Sequence, residues 1–151
     1  MAEFIATCIL TATMSFRHAI HDDQLRFMTR HYEISEQDMQ LVYRVVMSEA
    51  GGDGVLSQKG VTTVILNRLF SPNYPDTIPE VIAGQFSTGD NGDPTEEVIR
   101  SVNLAVIEYG TRRQILPYQC YYFRAWDYHS FGIPYCQLGN NYFSLGEEAT
   151  D

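Results

Sequence analysis

Apolar residues Leu41, Val42, Val45 and Val46 recur at three- and four-residue intervals within "YEISEQDMQLVYRVVMSEA", the period of an amphipathic helix. Ser35 stands before this stripe and Asp38 three residues later, the arrangement of a capping box. A second helix is predicted over "LSQKGVTTVILNRLF", with Val61, Val64, Ile65 and Leu69 inward and Ser71-Pro72 stopping it. "TIPEVIAG" predicts a short third helix with Thr77 as cap, Glu80 at the third position and Gly84 as terminator. "DPTEEVIRSVNLAVIEYG" predicts a fourth, capped by Asp93, with Pro94 at its first position, acids in its first turn and Gly110 at its end. After Pro117 the period changes. "YQCYYFRAW" and "IPYCQLGNNYFSL" are aromatic-rich and broken by Gly and Pro, so short strands or extended loops are expected. The predicted fold is a mainly helical α+β domain with a small β element in its C-terminal part.

The chain has 151 residues, 44% hydrophobic and 19% charged, which suits one soluble domain with a sizeable core. A formal charge of −9 argues against a nucleic-acid partner, because no basic stripe exists to neutralise phosphates. It argues equally against electrostatic attraction to anionic membranes or wall polymers. Cys8, Cys120 and Cys136 are an odd number without CxxC spacing, so neither a disulfide framework nor a zinc site is indicated. "EFIATCILTATM" is too short to span a bilayer. Its Glu3 stands where a signal peptide carries Lys or Arg, and no A-x-A site follows. A buried strand or helix is expected there.

The candidate chemistry begins at "MSEAGGDG". Glu49 lies four residues after Val45 and three after Val46, on the face those valines bury. Burial disfavours the charged carboxylate and raises its pKa, the condition a general acid needs. Gly51, Gly52 and Gly54 leave room for a polymer beside it. Two further segments offer ligand contacts. "GQFSTGDNGDP" supplies Gln85, Ser87 and Thr88 as hydrogen-bonding groups, with Phe86 to pin the loop inward. "CYYFRAW" places Tyr121 and Phe123 on one side of an extended segment and Tyr122 on the other. Arg68 falls on the inward face of its helix, where a carboxylate partner is expected.

A glycosidase with two carboxylates could draw its second from Asp53, Glu80, Asp90 or Asp93, yet each has an ordinary place as a loop acid or cap. A cysteine peptidase pairing Cys120 or Cys136 with His129 lacks a helix start at either thiol. "HAIHDD" has metal-like spacing but no third cluster of ligands.

The segments "EAGGDG", "VILNRL", "YPDTIPEVI", "GQFS", "YYFRA" and "GNNYF" occur together in order. Over residues 41–143 the chain thereby resembles the SleB-type, spore cortex-lytic family of cell-wall hydrolases. The resemblance implies a lysozyme-like domain of the goose-lysozyme and lytic-transglycosylase type, residues 35–146, behind an N-terminal extension, residues 1–34. It implies Glu49 as catalytic acid, with Gln85, Phe86, Ser87, Tyr121, Tyr122 and Asn140 in the substrate cleft. Peptidoglycan glycan strands are the implied partner, at the bacterial wall or spore cortex, with no metal, organic cofactor or membrane insertion. A single glutamate would cleave the β-1,4 bond between N-acetylmuramic acid and N-acetylglucosamine and close a 1,6-anhydro ring. The alternative is a non-catalytic glycan-binding or virion-structural module of the same fold.

Overall fold

The computed structural model describes residues 20–89 and 91–146. The segment "EFIATCILTATM", Cys8 and Asp90 lie outside them. Among the described residues, five helices precede a three-stranded sheet, the mainly helical α+β architecture expected. Helix α1 covers residues 20–31, one helix more than the four anticipated. Its Leu25 and Met28, and Tyr32 after it, pack against the core.

Helix α2 (Glu36–Ala50) starts at the expected capping box. Ser35 Oγ accepts from the Asp38 N–H and Asp38 Oδ2 from the Ser35 N–H, both at 3.0 Å. Helix α3 (Val55–Leu69) is the centre of the molecule. From Ser57 to Leu69 every residue but Lys59 is buried, so it has no solvent face of the usual amphipathic kind. Several of its polar groups are partnered within the protein: the Thr62 and Thr63 hydroxyls donate to the carbonyls of Gln58 and Lys59 one turn back, at 2.9 and 2.8 Å. Helices α2 and α5 and the sheet pack around it.

Two caps differ from expectation. Helix α4 is Ile78–Ile82, and Thr77 holds its N-cap position without a side-chain capping bond. Helix α5 (Glu96–Gly110) is capped by Thr95 rather than Asp93, Thr95 Oγ1 accepting from the Val98 N–H at 3.2 Å. Pro94 therefore precedes the helix instead of opening it. Starting there directs Val98, Val102, Ala105 and Val106 into the core.

Strands β1 (Cys120–Ala125), β2 (Ile133–Leu138) and β3 (Asn141–Leu145) form an antiparallel sheet in the order β1-β3-β2. The central strand buries Asn141, Phe143 and Ser144, with Asn141 against Ser57 and Phe143 against Gly60 of α3. A register irregularity between Cys120 and Tyr122 breaks the simple alternation expected of "CYYFRAW". Phe123 turns into the core against Phe86 and Phe143, while Tyr121 and Tyr122 line one cavity together.

Candidate active site

Glu49 occupies the last turn of α2, where Val45 and Val46 beside it are fully buried. Its carboxyl is half-buried, and loss of water raises its pKa above the usual carboxylate value; the Ser87 N–H donating to Oε1 opposes this in part. That N–H belongs to the loop after α4, which lies across the end of α2. Ser48 Oγ donates to Ser87 Oγ and Asn91 Nδ2 to Ser48 Oγ, both at 2.9 Å. Phe86, buried, pins the loop from below, 5.8 Å from the Phe123 ring.

The opposite wall is the β2–β3 turn. Asp53 Oδ2 accepts from the Asn140 N–H at 2.8 Å, from Ser57 Oγ at 3.1 Å and from Asn141 Nδ2 at 3.4 Å. Asn141 Nδ2 also reaches the Glu49 carbonyl at 3.3 Å. Gly139, at φ 59°, approaches so closely that a Cβ would meet the Asp53 carbonyl oxygen at 2.7 Å. Between the two walls lies a cavity of about 450 Å³, with Glu49, Ser48, Asp53, Asn91, Trp126 and Asn140 among its lining.

Of the residues expected in the cleft, Ser87 and Asn140 thus stand with Glu49. Tyr121 and Tyr122 do not: they line a second cavity of about 500 Å³ with Asn73, Tyr74 and Phe131. Arg68 joins the two regions from beneath. Its Nε donates to the Tyr121 carbonyl at 2.8 Å, and its Nη1 donates to Gln85 Oε1. The expected carboxylate partner of Arg68 is absent among the described residues. Arg68 is 7% exposed, and its guanidinium instead faces Phe86 at 5.0 Å, Tyr74 at 5.2 Å and Tyr122 at 6.0 Å. Ring faces and two neutral oxygens meet the charge, which spares the site a second buried ion. Burial still lowers the Arg68 pKa, and it pushes the Tyr74 hydroxyl up to about 12.

Cys120 offers no nucleophile. It is buried, its thiol donates to the Ser144 carbonyl at 3.5 Å, and burial pushes its pKa up to about 12. His129 Nε2 lies 3.0 Å from the Phe123 carbonyl and its ring stacks on Phe131, so it is engaged elsewhere. The residues that sequence reasoning missed here are Ser48, Asn91, Trp126 and Asn141. The single Trp beside a tyrosine-rich strand was the one signal available for any of them.

Comparison with known proteins places this geometry in context. The chain is 46% identical over 48 residues to a spore cortex-lytic enzyme of Halalkalibacterium halodurans; the match covers 32% of this chain and only 14% of that relative. The fold resembles the crystal structure of the catalytic domain of the Bacillus cereus SleB protein, with a TM-score of 0.59 and 23% identity, covering 73% of this chain and 91% of that one. It also resembles the catalytic domain of the germination-specific lytic transglycosylase SleB from Bacillus anthracis, with a TM-score of 0.61 and 24% identity, covering 73% and 95%. The family model described as Cell Wall Hydrolase matches residues 52–144, well over half of the chain. The chain therefore belongs to the cell wall hydrolase family.

Proposed function

We propose that the protein cleaves peptidoglycan glycan strands at the β-1,4 bond between N-acetylmuramic acid and N-acetylglucosamine, as a lytic transglycosylase with Glu49 as its one catalytic acid. The observation that carries this reading is the Glu49 carboxyl, held by the Ser87 N–H at the edge of an open cavity with its ionisation disfavoured. The protonated carboxyl delivers its proton to the leaving O4 of N-acetylglucosamine as the C1–O4 bond breaks. The muramic acid 6-hydroxyl then attacks its own C1, forming the O6–C1 bond, and its proton returns to Glu49. No water is consumed. Asp53 supports a single-acid scheme, because its Oδ2 already holds the β2–β3 turn and the start of α3.

In this reading Ser87 orients the acid, Asn140 meets the strand on the far wall, and Gln85 and Phe86 fix the loop through Arg68. Tyr121 and Tyr122 take a more distant part of the glycan in their own cavity. Residues 35–146 form the catalytic unit, and within the 1–34 extension the described Leu25, Met28 and Tyr32 pack against its core. Mass spectrometry of digested peptidoglycan tests the scheme: 1,6-anhydro ends are expected, and reducing ends, heavier by one water, would replace it with hydrolysis. A non-catalytic glycan-binding module would release no fragments at all.

A further inference from the structure

The one tryptophan of the chain, Trp126, directly follows β1. Its φ is +72°, a backbone region that bulky side chains adopt only where the surroundings impose it. Here they do. The Trp126 N–H donates to the Asn140 carbonyl at 2.8 Å, continuing the β1–β3 ladder past Ala125. Two residues on, Tyr128 packs edge-on against Tyr142 at 5.0 Å. The backbone is thus held, yet the side chain is 74% exposed, and no aromatic ring among the described residues stacks on it. The core makes no use of this indole. It borders the Glu49 cavity, whose other polar groups include the neutral side chains of Ser48, Asn91 and Asn140. The exposed Phe131 and Ile133 lie near the other end of the sheet, where Ile133 pairs with Leu145. Trp126 is therefore an isolated ring at a polar cleft rather than part of an apolar docking face.

A flat π surface beside uncharged amides matches an N-acetylated pyranose: the C–H face of the ring lies on the indole and the acetamido group bonds the amides. We propose that Trp126 is a sugar-stacking platform that holds the pyranose next to the scissile bond and so sets substrate binding in the Glu49 cleft. This rests on the reading of that cleft as the glycan-cleaving site. Its role is binding and placement, not proton transfer.

With one tryptophan, the emission of the protein reports on this residue alone. Titrating Glu49→Gln with an alternating N-acetylglucosamine–N-acetylmuramic acid tetrasaccharide should give a saturable blue shift. Trp126→Gly relieves the positive φ, so its melting temperature should hold or rise, while KM on soluble glycan strands should increase about tenfold, the size of one good contact. Turnover at saturation should stay within about threefold, because a contact of equal strength in ground and transition states moves KM. Trp126→Phe should recover most of the loss. Unchanged emission at saturating tetrasaccharide, or an unchanged KM in Trp126→Gly, overturns the proposal. A kcat loss that tracks a lowered melting temperature would mark Trp126 as structural and overturn it too. If Glu49→Gln still cleaves glycan, the catalytic reading fails first; if it is inactive and Trp126 is silent, this inference alone fails.

Discussion

At Glu49 the same burial acts on stability and, in the proposed mechanism, on catalysis. Its raised folded pKa means that the protonated form is favoured on folding. Stability linked to this group is therefore complete below the unfolded carboxylate pKa of about 4.3 and is lost as pH rises through the raised value. Glu49→Gln keeps an acceptor for the Ser87 N–H but carries no proton to donate. Turnover should fall by about 10²- to 10⁴-fold. The variant should melt higher than wild type above the raised pKa, with the gap closing as pH drops below about 4.3. Wild-type activity should decline on the alkaline side as the acid ionises. Lysis rates and melting curves across the pH range check all three, and lysis by Glu49→Gln at the wild-type rate would remove Glu49 from the mechanism. Its position was legible locally, because Val45 and Val46 lie within one turn. The Ser87 N–H was not, being 38 residues away in sequence.

At the scale of elements, α3 carries the site through close contacts that local patterning does not show. Gly60 seats α3 on the sheet: a Cβ there would meet Phe143 Cζ at 2.6 Å and Leu138 Cδ1 at 3.1 Å. Gly→Ala inside a helix ordinarily gains about 0.5–1 kcal/mol. Here overpacking against a fully buried ring should cost about 1–3 kcal/mol, so the sign reverses and denaturant unfolding of Gly60→Ala should show a net loss. Seven residues on, Asn67 Nδ2 donates to the carbonyls of Pro117 and Cys120, both at 2.9 Å. Asn67→Ala takes a donor from both; the Pro117 carbonyl keeps the Cys120 N–H at 3.0 Å, so the loss should be about 1–3 kcal/mol in all. Faster hydrogen exchange in β1 than in α2 would locate the damage, and uniform exchange would contradict it. The helices themselves were readable from periodicity and capping residues. The α5 boundary was not, because Asp93 and Thr95 are both good caps and only the packing of Val98 and Val102 selects between them.

For the whole molecule, the charge of −9 sets how it meets an anionic wall. Like charges repel over about 30 Å at 0.01 M salt and about 8 Å at 0.15 M. Lysis of intact walls should therefore speed up across that range, while cleavage of short soluble glycan strands, which carry only a few carboxylates, should change less. A falling rate on walls would instead indicate attraction through a local basic surface. The order of elements, the switch from helix to strand after Pro117 and the inward face of Glu49 all follow from residues close in sequence, since they depend on spacing within a turn or a pleat. The family resemblance was legible for the same reason, as short segments in order. Tertiary structure alone decided that Tyr121 and Tyr122 line a cavity apart from Glu49, that rings and neutral oxygens surround Arg68, and that Trp126 borders the cleft. Those outcomes turn on a strand irregularity and on contacts such as Asn140 to Asp53, 87 residues apart. Pairings at that distance are selected by the packing of the whole chain around α3, and no local period encodes them.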